Sequence, residues 1–107
     1  MSATHERRLK LHLVAEQFRT TNVKSSLTRF KRKPFGPDCR LPLNLKKLVG
    51  GLVSLGFRVQ DIAAEFDLDT HTVNRLWLAF GKLDPETQVL VFRDAFARRA
   101  CVQNRRA

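Results

Sequence analysis

Between Val59 and Leu78 the chain reads Val-Gln-Asp-Ile-Ala-Ala-Glu-Phe-Asp-Leu-Asp-Thr-His-Thr-Val-Asn-Arg-Leu-Trp-Leu, and no other stretch restricts the fold so tightly. Ile62, Ala63, Phe66, Leu68, Val73 and Leu76 recur at the spacings by which two short helices crossing at a steep angle bury their apolar sides. Ala63 stands where such helices come closest, and a larger side chain there would push them apart. Asp67 follows the last residue of the first helix, a place that often needs positive φ, which Asp tolerates better than most non-glycine residues. Asp69 is positioned to cap the next helix through its carboxylate. Phe80-Gly81 supplies the stop, with Gly81 free to take a left-handed conformation. The pattern predicts a helix-turn-helix whose second helix runs from about Thr70 to Phe80.

The positions of that second helix left over from the core are polar and capable of hydrogen bonding. A helix buried on one side and so furnished on the other suits insertion into a DNA major groove. Thr70, His71, Asn74 and Arg75 are expected to face base edges, Arg75 being suited to guanine and Asn74 to adenine. Thr72, Arg58 and Gln60 are expected to hold phosphates at the groove rim. The competing reading is a helical hairpin with no ligand.

Charge points to a polyanionic partner but sits elsewhere. Twenty Lys and Arg against ten Asp and Glu leave a net of +10, and neutralising phosphates releases condensed counterions. Residues 1–41 carry a net of +7, residues 42–82 only +1 and residues 83–107 +2. Attraction for phosphate is therefore expected mainly from the N-terminal third. Residues 1–41 read as an N-terminal helix and basic arm, and residues 42–107 as the helix-turn-helix domain with a C-terminal helix. The fold class expected is mostly α.

Within the first part, Leu11, Val14, Ala15 and Phe18 form a helical stripe expected to pack on the core or on a second subunit. Asn22 is a candidate cap for a short helix carrying Val23, Leu27 and Phe30. The run Arg29-Phe30-Lys31-Arg32-Lys33-Pro34-Phe35-Gly36-Pro37 cannot stay helical through its two prolines. It reads as an extended arm in which Arg29, Lys31, Arg32 and Lys33 follow phosphates or enter a minor groove, with Phe30 and Phe35 as core anchors. The alternative is a solvated linker.

In the second part, Asn44 is expected to cap a helix with a broad apolar surface from Leu45 to Leu55, ended by Gly56. Gly50 and Gly51 each cost about 1 kcal/mol relative to alanine in a helix, and close approach of another helix is the expected compensation. Asp84-Pro85-Glu86 opens the last helix with a cap, a first-turn proline and an acid at the positive helix end. Val89, Leu90, Val91, Phe92, Ala95 and Phe96 spread over more than one stripe, so this helix is expected to bury two faces, one of them in a homodimer. Arg98, Arg99, Arg105 and Arg106 are read as a fraying basic tail.

No catalytic constellation, cofactor motif or small-molecule site is legible. His5, His12 and His71 have no metal-ligand spacing with one another or with Cys39 and Cys101, and Asp61, Glu65, Asp67 and Asp69 read as helix-flank, turn and cap residues rather than a cation site. The chain is expected to be neither an enzyme nor a metal protein. It has no stretch of membrane-spanning length and no hydrophobic run before a cleavage site. Reduced thiols and a cytoplasmic location, nucleoid-associated when bound, are the corresponding expectations.

Two resemblances add to this reading. The run Leu55-Gly56-Phe57-Arg58-Val59-Gln60, with Leu68 and Arg75-Leu76-Trp77, resembles a segment of the C subunit of the flagellar master activator. Ile62 through Val73, Arg75-Leu76 and the Leu-Asp-Pro-Glu at 83–86 are similar to the DNA-binding portion of ParB-type plasmid partition proteins. Both lie within the wider superfamily of prokaryotic helix-turn-helix regulators, which the chain resembles over about Leu43 to Phe80. The resemblance implies a small plasmid, phage or chromosomal factor that binds double-stranded DNA in transcription or plasmid maintenance. An RNA-binding or ribosome-associated protein, and a protein-interaction adaptor on a helical scaffold, are the competing classes.

Overall fold

The computed structural model describes residues 3–32 and 41–106, with side chains over 6–30 and 41–102. These residues form six helices and no strand: α1 (Ala3–Phe18), α2 (Thr21–Arg32), α3 (Leu43–Ser54), α4 (Val59–Phe66), α5 (Thr70–Phe80) and α6 (Pro85–Arg106).

Helix α3 is the centre of the molecule, packed against α2, α4, α5 and α6. Its apolar residues run almost all the way round, so Leu45, Leu48, Val49 and Leu52 are buried together with Gly50 and Gly51. Burial of each such large side chain contributes about 1.5–3 kcal/mol. The two glycines bring neighbours to the helix, as expected. A Cβ on Gly50 would lie 2.4 Å from the Phe80 ring of α5, and one on Gly51 would lie 3.4 Å from Ala95 of α6.

The α1 stripe of Leu11, Val14, Ala15 and Phe18 joins the same core, as do Val23, Leu27 and Phe30 of α2. It is therefore covered within the chain and is not a surface awaiting a second subunit. The cap of α2 is Thr20 rather than Asn22: the Val23 N–H donates to the Thr20 hydroxyl at 3.3 Å. Helix α2 continues through Arg32, so Arg29, Lys31 and Arg32 belong to its last turn and not to an extended arm. Proline disfavours helix at its own position and the one before it, which leaves residues up to Arg32 free to stay helical. Lys33 and Phe35 lie outside the described residues.

Three local details also differ from expectation. Pro42, with extended backbone, precedes α3. Asn44 instead donates from Nδ2 to the Ser26 hydroxyl at 2.6 Å and to the Asn22 carbonyl at 3.2 Å, tying α3 to α2. Gly81 has φ −63, an ordinary helical value, because α5 runs on into a tight turn in which Lys82 N–H and Leu83 N–H donate to Ala79 and Phe80 carbonyls. Gly56 does take positive φ, 97°, and ends α3 with the Phe57 N–H returning to the Leu52 carbonyl.

Helix α6 begins as its sequence predicts. Asp84 accepts from the Thr87 N–H at 3.0 Å and from its hydroxyl at 2.7 Å. These bonds to the ionised form, the hydroxyl's first, hold the Asp84 carboxyl below its ordinary pKa. Val91 and Ala95 are buried, and Phe92 meets Phe80 edge-on at 5.7 Å. The helix does not stop at the basic tail: Arg98 bonds Asp94 and the Gln17 carbonyl and lies over the Phe18 ring, and helix continues to Arg106. No helix among the described residues is long and apolar enough to cross a membrane.

Candidate nucleic-acid interface

Helices α4 and α5 are joined by a short turn whose shape follows from Asp67. Its backbone is left-handed, φ 55° and ψ 48°, the conformation for which Asp and Asn are the usual non-glycine residues. The turn lets the Leu68 N–H donate to the Ala63 carbonyl at 2.8 Å. Ile62, Ala63 and Phe66 of α4 and Val73 and Leu76 of α5 are buried, and Leu68 is half-buried against them. Asp69 occupies the N-cap position of α5 with extended backbone, but its carboxylate makes no capping bond.

Because Val73, Leu76 and Phe80 turn one side of α5 into the core, the opposite side faces outward. His71 and Asn74 are exposed there, and Arg75 is half-buried at its edge and engaged within the chain. Thr70 is exposed at the first turn, and Thr72 is half-buried on the flank. Four of the residues expected to read bases thus share one accessible surface. Sequence reasoning missed Leu78, which is 60% exposed and lies one turn beyond Asn74 on the same side. Its spacing, four from Asn74 and seven from His71, was the available signal.

The residues expected at the rim divide. Gln60 is exposed at the start of α4. Arg58 is exposed but held in the chain, its Nε 3.2 Å from the Asp61 carboxylate. Asp61 is buried, and Arg58 is its one ion-pair partner among the described residues.

Behind α4, on the side packed against α1, lies a cluster that separation in sequence concealed. Arg19 donates from Nη2 to the Glu65 carboxylate at 3.0 Å and to the Glu65 carbonyl at 3.1 Å, with its guanidinium 4.6 Å from the Phe66 ring centroid. His12 Nδ1 is 2.9 Å from the same carboxylate, and Glu16 is 3.2 Å from Arg19 Nε. Ligand atoms of His12, Glu16 and Glu65 lie within 4.8 Å of one another. Arg19 already supplies positive charge to both carboxylates, so the arrangement fastens α4 to α1 and opposes entry of a metal ion.

Helix α2 carries Lys24, Arg29, Lys31 and Arg32 and no acid. Lys24 and Arg29 are exposed on one side with the hydroxyl residues Thr21, Ser25 and Thr28. Cations among small hydroxyls suit phosphate oxygens. The sequence placed Arg29 in an arm, whereas folding puts it beside Lys24 on an exposed helix face. Comparison with protein-family models, with curated proteins and with solved structures returns no match for this chain.

Proposed function

We propose that this protein binds double-stranded DNA with sequence preference, α4 and α5 acting as a helix-turn-helix and α5 as its reading helix. The observation that carries the reading is the division of α5: Val73, Leu76 and Phe80 inward, and His71, Asn74, Arg75 and Leu78 outward around a turn made by left-handed Asp67. Asn74 and Arg75 offer bidentate contacts to adenine and guanine, and Leu78 offers an apolar contact to a thymine methyl. Gln60 and Thr72 approach the sugar-phosphate rim. The cationic face of α2 supplies the non-specific attraction that the nearly neutral reading unit lacks. The role that fits is a small transcriptional regulator or plasmid-maintenance factor without enzymatic activity.

Selection of bound sites from random duplex DNA tests this. A recurrent motif whose binding resists competition by unlabelled RNA is the expected result. Failure to enrich any motif, or equal displacement by RNA, would overturn the sequence-specific reading and favour the RNA-binding alternative.

A further inference from the structure

Helix α6 carries an apolar stripe that its own fold does not cover. Val89, Leu90 and Phe96 are 51%, 62% and 46% exposed, while Val91 and Ala95 are buried on the other side. Ala97 and Ala100 extend the stripe, both exposed. Steps of three and four residues keep these positions on one side of a helix. Single exposed apolar residues are ordinary, but several on one side of a helix over about three turns mark a contact surface. Two charged residues are centred on it, Glu86 and Arg93, both exposed. Neither enters an ion pair among the described residues.

We propose that α6 pairs through Val89 and Leu90 with α6 of a second copy of the chain, antiparallel, about a two-fold axis passing between Val89 and Leu90. In a symmetric antiparallel pair, residues equidistant from the axis face one another. This axis sets Glu86 against Arg93 of the partner subunit, and by symmetry Arg93 against Glu86 of the partner subunit. Val89 faces Leu90 of the partner subunit at the centre. A parallel pairing would place each charge beside its own copy. So would an antiparallel pairing centred on Arg93, for that arginine. Like charges facing one another are strongly disfavoured, so the two charges select both the direction and the register.

The pairing is independent of the nucleic-acid reading, because it is measured as mass and not as DNA binding. Sedimentation equilibrium of the full chain over a concentration series is expected to show monomer and dimer in exchange. Glu86→Arg and Arg93→Glu, each alone, are expected to weaken the dimer by about tenfold or more. Mixed in equal amounts, the two variants are expected to form a heterodimer, because the reversed charges are complementary across both contacts. Leu90→Asp, at the most exposed apolar position of the stripe, is expected to abolish pairing with native helicity retained by circular dichroism. A wild-type chain that stays monomeric throughout overturns the proposal. A dimer indifferent to both charge reversals, or reversed variants that do not pair when mixed, overturns this register.

Discussion

Two adjacent glycines of α3 show how finely the core depends on single atoms. At Gly50 an added Cβ would sit 2.4 Å from the ring of Phe80, a fully buried side chain. At Gly51 the nearest atoms are 3.4 and 3.5 Å away, at the limit of ordinary contact. Gly50→Ala is therefore expected to destabilise the protein by about 1–3 kcal/mol or more through overpacking. Gly51→Ala is expected to be close to neutral, because a gain of about 1 kcal/mol in helix propensity offsets slight crowding. Urea unfolding of the two variants beside wild type checks the contrast; equal losses would mean that α5 and α6 approach α3 equally closely. Both glycines read as points of close approach from the sequence. Which helix approaches each, and how closely, was not legible, because Phe80 and Ala95 lie far along the chain.

The helices respond differently at their termini and on their faces. At the start of α6, Asp84 is held below its ordinary pKa by bonds to Thr87. The sign follows: a carboxyl depressed in the folded state stabilises it above the unfolded pKa, and that contribution is lost as pH falls through the folded value. The melting temperature of Asp84→Ala is accordingly expected to lie below that of wild type at neutral pH, with the gap closing in acid. A gap constant with pH would show that the hydroxyl and N–H bonds are not the source. On α5 the proposal makes Arg75 a base-reading residue. Arg75→Ala is expected to weaken binding to a selected site by about 1–3 kcal/mol and to relax preference at one base pair. Unchanged affinity and preference would show that this helix is oriented otherwise. Leu78, apolar but four residues from Asn74 and seven from His71, lies on the outward side because Val73, Leu76 and Phe80 turn inward together.

For the molecule as a whole, the proposed function assigns attraction to DNA and the reading of bases to different helices. If Lys24 and Arg29 of α2 neutralise phosphates, replacing both with alanine is expected to weaken specific and non-specific binding alike. The salt dependence should become shallower by up to about 0.9 per lost contact. An unaltered slope would mark α2 as a solvated face only. The sequence by itself determined the helical pair on either side of the turn, the sides that α1, α4 and α5 bury and the left-handed turn at Asp67, because periodicity, glycine and turn residues act over a few neighbouring positions. Tertiary structure alone decided the distant partners: Asn44 with Ser26, and Arg19 and His12 with Glu65. It also decided that Gly81 stays helical, that Arg29 ends a helix instead of starting an arm, and that the uncovered side of α6 carries Leu90 rather than Val91. A polar side chain is satisfied by whatever folding brings within about 3 Å, and an apolar one is buried only if another helix arrives. Neither fact is written in the spacing of the helix that bears it.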